Sequence, residues 1–343
     1  ASEVVAYAGD TAATSARTLL ATVTDTTVTA SFDVATSVAS IVSTANATPA
    51  VAGQTLNLTT AVDSITGGDG ADAITGTAPY AGGSVAASGT YDAGDIVDGA
   101  AGTDIFTLTA SGSSLSPDTV TPTLLNVETV HFKNYETDGT NDLTLDLSLA
   151  DSSLATVKVT AVNSTSDTTV TNVGSATMAF EHGGKGDLVV TYATGVTSGV
   201  EDAASVTFND VGASATATSS LQTTGIETLN LTSSGAANFA TLHATSDVTG
   251  VTVAGDQALT LVIADTGVTS FDASAATGVI NVDTSAIDLD DLTSIAGGTG
   301  TADVLHVNEA IAVTGSTAAT NHLFYASGFE TVNVQDAAVT VAL

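Results

Sequence analysis

The stretch Gly67-Gly68-Asp69-Gly70-Ala71-Asp72-Ala73-Ile74-Thr75 brings together, in nine residues, the groups needed to wrap oxygens around a hard cation. It matches every position of the nonapeptide Gly-Gly-x-Gly-x-Asp-x-U-x (U a large apolar residue), the calcium-binding turn of a parallel β-helix. Glycines permit a tight turn with inward carbonyls, the Asp adds a carboxylate, and the apolar residue enters the core. Calcium takes roughly six to eight oxygens and one turn supplies about half, so a second turn must stack on the first. The sequence offers one at nine residues. Asp63 lies nine residues before Asp72, and Asp63-Ser64-Ile65-Thr66 repeats the pattern of Asp72-Ala73-Ile74-Thr75.

A second pair follows. Gly99-Ala100-Ala101-Gly102-Thr103-Asp104-Ile105-Phe106-Thr107 fits the nonapeptide with Ala100 in place of the second glycine, and Asp95-Ile96-Val97 stands nine residues before Asp104-Ile105-Phe106. Two echoes are irregular. Gly183-Gly184-Lys185-Gly186-Asp187 is one residue short, and Gly297-Gly298-Thr299-Gly300-Thr301-Ala302-Asp303 is one residue long. A changed spacing is expected to misplace their carboxylates. Other groupings point to no chemistry. His131, His182, His243, His306 and His322 lack metal spacing, and no Gly-x-Ser-x-Gly places a nucleophile. Asp288, Asp290 and Asp291 form an acidic knot that reads as a solvated loop.

Composition limits what these turns serve. The 343 residues carry a formal charge of −33, from 37 acidic and 4 basic side chains, yet 43% are hydrophobic. Disorder needs low hydrophobicity alongside high charge, so the chain folds and wears an acidic surface. Such a surface repels nucleic acid and anionic lipid, and divalent cations are its natural remedy. Arg17, Lys133, Lys158 and Lys185 read as scattered, which argues against nucleic-acid binding. No Cys is present, so nothing can be stapled by disulfides. No apolar run reaches about eighteen residues, so no membrane-spanning helix is expected. The start at Ala1 and the single Met178 suggest a processed product or a fragment. The apolar end Ala337–Leu343 reads as a final strand, with an uncleaved export signal as the alternative.

The elements that must hold the turns are strands. Thr55-Leu56-Asn57-Leu58, Leu143-Thr144-Leu145-Asp146-Leu147, Val157-Lys158-Val159-Thr160, Val251-Thr252-Val253 and Leu259-Thr260-Leu261-Val262 alternate with period two, punctuated by turn residues. A longer period overlies them. Val127-Glu128-Thr129-Val130, Ile226-Glu227-Thr228-Leu229 and Phe329-Glu330-Thr331-Val332 are three copies of one phrase. Each follows an Asp-led strand by a similar distance, counted from Asp104, Asp202 and Asp303. The phrase divides the chain into residues 1–54 (an arm or cap), 55–140, 141–240 and 241–343. Its Glu and Thr are expected to solvate a strand edge, with cation binding as the other possibility. The fold expected is an all-β, right-handed parallel β-solenoid (β-helix), for whose narrow interior Val and Thr are well sized. Tandem immunoglobulin-like β-sandwiches are the alternative at this unit length, opposed by the absence of Trp.

At this point the chain resembles the RTX-type surface-layer (S-layer) proteins of Gram-negative bacteria, the Caulobacter type among them. The likeness rests on Asp95-Ile96-Val97-Asp98-Gly99-Ala100-Ala101-Gly102-Thr103-Asp104 leading to Val127-Glu128-Thr129-Val130, and on Gly267-Val268-Thr269-Ser270-Phe271-Asp272-Ala273-Ser274-Ala275. It covers about residue 55 to the C-terminus. The resemblance implies a calcium-dependent, self-assembling lattice on the cell surface, exported by type I secretion. It further implies one calcium site from Asp63, Gly67, Gly68, Gly70 and Asp72 and a second from Asp95, Gly99, Gly102 and Asp104. Asp69, Asp98 and Asp303 are further candidate donors. Lattice proteins of this family also grip lipopolysaccharide through an N-terminal domain, which residues 1–50 do not display. The function expected is therefore structural, with the chain itself as partner and lipopolysaccharide or other glycans as possible surface ligands. A calcium-binding adhesin or biofilm-matrix module is the rival. A β-helix polysaccharide lyase or epimerase is a remoter one, since four basic residues poorly furnish a uronate site.

Overall fold

The structure is a computed structural model that describes residues 51–79, 89–112, 119–136, 143–161, 167–183, 186–199, 201–243, 247–287, 291–308 and 326–334. Residues 1–50, Lys185, His322, Asp288, Asp290 and the apolar end at 337–343 lie outside them. The chain divides into two units, Ala1–Val51 and Ala52–Leu343, and the second carries the fold. Its described residues are all strand, turn and coil, with no helix. Among them, no helix is long and apolar enough to cross a membrane.

Among the described residues, twenty-five strands form sheets of twelve, ten and three, and every pairing between them is parallel. The twelve-stranded sheet runs from Thr55–Asn57 to Ala326–Ser327, passing residues 140 and 240 without a break. Its successive strands alternate in sequence with strands of the other two sheets, so each circuit of the chain adds one rung to each face. This is a right-handed parallel β-solenoid. Stacked parallel pairing excludes tandem sandwiches, whose sheets are antiparallel.

The period-two pattern explains the interior. Register lines up Leu56, Ile74, Phe106, Val130, Val157, Met178, Val206, Leu231 and Val253 as one continuous row. All but Leu56, at the end of the stack, are buried. A second row, Leu108, Phe132, Val159, Phe180 and Phe208, runs beside it. Facing them, the ten-stranded sheet turns inward Leu143, Thr168, Leu188, Leu221, Leu242 and Ile263. Burying each large apolar side chain contributes about 1.5–3 kcal/mol. Alternate residues, largely Thr, Ser and Asn, face outward.

Circuit length varies, and this decides which residues meet. Thr55 pairs with Ala73, eighteen residues on (73−55), but Ala73 pairs with Ile105, thirty-two on (105−73). Ile105 then pairs with Thr129 after twenty-four (129−105), and Thr129 with Thr156 after twenty-seven (156−129). Loops that leave the sheets absorb the difference.

Candidate calcium turns and the carboxylate ladder

Each candidate turn ends at the Asp that immediately precedes a strand. The nine-residue step does not stack two turns. It carries the chain from the three-stranded sheet, where Asp63 precedes Ser64–Thr66, to the twelve-stranded sheet, where Asp72 precedes Ala73–Thr77. The residues that do stack are thirty-two apart (95−63 and 104−72): the Asp63 amide donates to Asp95 Oδ1 at 2.7 Å, and the Asp72 amide to Asp104 Oδ1 at 2.7 Å. A nine-residue repeat makes half a circuit, so the partner lies one full circuit away.

The glycines serve this stacking. A Cβ on Gly67 would lie 2.4 Å from the Gly99 carbonyl oxygen, and one on Gly99 would lie 2.1 Å from that of Asn126. A Cβ on Gly102 would lie 2.4 Å from the Gly70 oxygen. Backbone bonds tie the same turns together, Gly67 donating to Asp98 O, Ala101 to Gly68 O and Gly99 to Leu125 O. Turn 67–72 thus rests on turn 99–104, which rests on Leu125 and Asn126.

On the twelve-stranded side the acids form a ladder. The Gln54 amide donates to Asp72 Oδ1 at 2.5 Å, the Asp72 amide to Asp104 Oδ1, and the Asp104 amide to Glu128 Oε2 at 2.7 Å. Each carboxylate accepts the amide of the aligned residue one circuit earlier. These amides stand at the strand starts, and a charge-assisted bond there contributes about 1.5–3 kcal/mol.

The ladder explains the repeated phrase. Glu227 Oε2 accepts the Asp202 amide at 2.8 Å, and Glu330 Oε2 accepts the Asp303 amide at 2.7 Å, as Glu128 does for Asp104. The Asp-to-Glu distances in sequence (24, 25 and 27 from 128−104, 227−202 and 330−303) are one circuit each. These glutamates do more than solvate a strand edge: they hold neighbouring rungs together. The first two copies do so in the twelve-stranded sheet, the third in the ten-stranded one. The signal that finds them is the pairing of phrase with preceding Asp.

The turns differ in what is left over. Asp72 is buried and saturated: Oδ2 accepts the Gly68 amide at 2.6 Å while Oδ1 takes Gln54. Asp303 repeats this geometry despite its longer spacing, Oδ2 accepting Gly298 at 2.8 Å and Oδ1 accepting Ile280 at 2.8 Å. The extra residue does not misplace its carboxylate. In the short echo, Asp187 Oδ1 accepts the Ser220 amide at 3.1 Å. Asp95 takes Asp63 and Asp92, and Asp63 binds the Thr59 amide and hydroxyl. Asp69 is exposed.

Asp104 is the exception. Ala100 stands where the first turn has Gly68, at φ 68°, and its amide turns to Asp98 Oδ1 at 3.0 Å. Asp98 Oδ1 also receives Asn126 Nδ2 at 2.8 Å. Asp104 is fully buried, and its Oδ2 has no hydrogen-bond partner among the described residues. Burial pushes this carboxyl above its ordinary 3.8; the Asp72 amide opposes the rise, and the charges of Glu128, Asp72 and Asp98 add to it. A Cβ on Gly99 would meet Asp104 Oδ2 at 2.5 Å and Asn126 O at 2.1 Å, so glycine lets this turn pack against both oxygens. Hard oxygens of that kind suit calcium, and the orphan oxygen is a donor that a cation would satisfy. Among the described residues no three acid or His side chains gather to hold a metal, so a cation here would rest on one free carboxylate oxygen plus turn carbonyls.

No known family, curated protein or solved structure matches the chain. A cavity of about 390 Å³ elsewhere, lined by Leu147, Asp151, Asn172 and Ala193, adds little chemistry. Its one acid, Asp151, is engaged by the Asn126 amide and by Ser153.

Proposed function

We propose that this chain is a structural protein of the cell exterior, a calcium-stabilised β-solenoid that assembles with copies of itself into a surface layer or filament. The observation that carries this reading is the buried Asp104 carboxylate with one oxygen unsatisfied inside a glycine turn. An orphan charge of that kind costs about 1–3 kcal/mol or more, and a bound cation would convert the cost into a gain. The −33 charge supports the same role, because divalent ions reduce repulsion within a subunit and between subunits. Likeness of residues 95–104 and 127–130 to RTX-type surface-layer proteins points the same way and suggests export by type I secretion.

In this reading Asp104 and the carbonyls of Gly99 and Asn126 would hold calcium, with Asp98 beside them. Calcium supplies charge neutralisation and a rigid joint between rungs. The bonds that align the rungs are made by the chain's own residues. The test is a calcium titration of protein purified in EDTA, followed by thermal unfolding, light scattering and electron microscopy. Stability should rise by about 2.7 kcal/mol at a hundred times the dissociation constant. Ordered sheets or filaments should appear at millimolar calcium. Protein that stays monomeric and equally heat-stable defeats the proposal.

A further inference from the structure

Lys133 and Lys158 are the only Lys or Arg among the described residues, Arg17 and Lys185 lying outside them. They are not scattered. Both point outward from neighbouring strands of the twelve-stranded sheet, Thr129–Glu136 and Thr156–Ala161, and His131 stands with them. Register places Thr109, Lys133 and Thr160 side by side on three successive rungs, and Thr107, His131 and Lys158 on the row beside them. Tyr135, 36% exposed, continues the outward row of the Lys133 strand.

Two of the three nitrogen-bearing groups are occupied. Lys158 Nζ pairs with Glu181 at 2.7 Å, and His131 Nε2 lies 2.9 Å from Thr160 Oγ1. Burial, with Lys158 and Lys133 beside it, pushes His131 down to about 4, so near neutral pH the imidazole is uncharged and serves as a hydrogen-bonding group. Lys133 has no carboxylate within 4.0 Å among the described residues. Among the described residues Lys133 thus stands without an ion-pair partner, among hydroxyls, a neutral imidazole and a phenol ring, with Glu181 two rungs along its row and paired to Lys158.

We propose that this face binds an acidic saccharide. The carboxylate of a uronic-acid unit pairs with Lys133, sugar hydroxyls bond Thr109 and the remaining lone pair of Thr160, and the ring of an adjacent unit lies against Tyr135. The occupant follows from charge complementarity. The attraction of Lys133 extends about 8 Å at physiological salt, while the −33 chain repels any densely charged partner. A nucleic acid or a second copy of the chain is densely negative; a sugar polymer with well-spaced carboxylates is not. Hydroxyl-rich sugars also match the Thr rows better than a phosphate backbone does. This inference needs no calcium and stands apart from the assembly proposed above.

The test is calorimetric titration of the full chain in calcium-replete buffer with a hexasaccharide of alternating glucuronate and N-acetylglucosamine. The neutral hexamer of N-acetylglucosamine is the comparator. The charged hexamer should bind at least tenfold tighter, lose tenfold or more on Lys133→Gln, retain affinity with Lys133→Arg, and weaken steeply between 0.05 and 0.5 M salt, on the order expected for an exposed charge pair. Unchanged thermal unfolding of Lys133→Gln confirms that the variant is folded. Absence of binding by the unaltered chain, or binding that survives Lys133→Gln, overturns the proposal. So does loss of self-association in Lys133→Gln without any saccharide affinity, which would make the face a contact between subunits.

Discussion

Asp104 and Asp265 offer a paired test, because they share a physical predicament in different settings. Both are buried, and each has an Oδ2 without a hydrogen-bond partner among the described residues. Asp265 Oδ1 accepts the Gly267 amide at 2.9 Å, as Asp104 Oδ1 accepts that of Asp72. Burial raises both carboxyls, so in each the charged form opposes folding near neutral pH. Asp104 ends a glycine-rich turn that fits the nonapeptide, whereas Asp265 stands beside the single glycine Gly267. Replacement by Asn keeps the volume and an acceptor for the amide. In EDTA, Asp104→Asn and Asp265→Asn should each stabilise. Asn leaves an unpartnered amide nitrogen where the unpartnered oxygen stood, so the gain comes only from removing the buried charge, roughly 1 kcal/mol. For the unit Ala52–Leu343 that is about 1–2 °C in Tm.

Calcium should separate the two variants. At a hundred times its dissociation constant the ion adds about 2.7 kcal/mol to the unaltered chain. Asp104→Asn forfeits most of that and falls below it by about 1.7 kcal/mol, while Asp265→Asn keeps both gains. Thermal unfolding by circular dichroism, with and without calcium, reads the reversal. Hydrogen exchange over residues 99–108 localises it, since solenoids open regionally. Asp104→Asn that is destabilised in EDTA, or that gains as much from calcium as the unaltered chain, refutes the reasoning.

Other outcomes follow from named contacts. Glu227→Ala removes the acceptor of the Asp202 amide and should cost about 1.5–3 kcal/mol, with faster exchange of that amide, while Glu227→Gln costs about half as much. Gly99→Ala drives a Cβ to 2.1 Å from the Asn126 oxygen and should open rungs 96–136, whereas Gly174→Ala, with nothing within 4 Å, should leave the urea midpoint unchanged or slightly raised. His131 is held at about 4 against 6.5 unfolded, so stability is full above 6.5 and falls as pH drops towards 4, where the unfolded chain takes a proton that the folded chain refuses. After discounting for partial exposure, that loss is about 1–2 kcal/mol. The difference in urea midpoint between the unaltered chain and His131→Gln should widen across that interval; a flat difference removes His131 as the cause.

Alternation of Thr and Val in segments such as Val157–Thr160 made the strands readable, and the nonapeptide made the solenoid readable. Circuit length was not readable. Extra residues between Thr77 and Ile96 stretch one circuit to thirty-two residues beside another of eighteen, so sequence distance does not report spatial distance. Hence Asp63 and Asp72, nine apart, read as stacked and are not, while Lys133 and Lys158, twenty-five apart (158−133), read as scattered and are neighbours. Glu128 was visible as a repeat, but its task depends on aligning with Asp104, which only register supplies. Ala100 was visible as a departure; that it diverts its amide and strands Asp104 Oδ2 is a property of the folded turn.

The run from Gln54 through Asp72 and Asp104 to Glu128 has a direction, for every donor belongs to the earlier rung and every acceptor to the later one. Stripping rungs from the far end would leave amides bare, while stripping from the near end would leave carboxylates, which water solvates readily. Along this stretch, fraying should therefore begin more easily at the Gln54 side, giving the stack a built-in polarity against mechanical pulling or proteolysis.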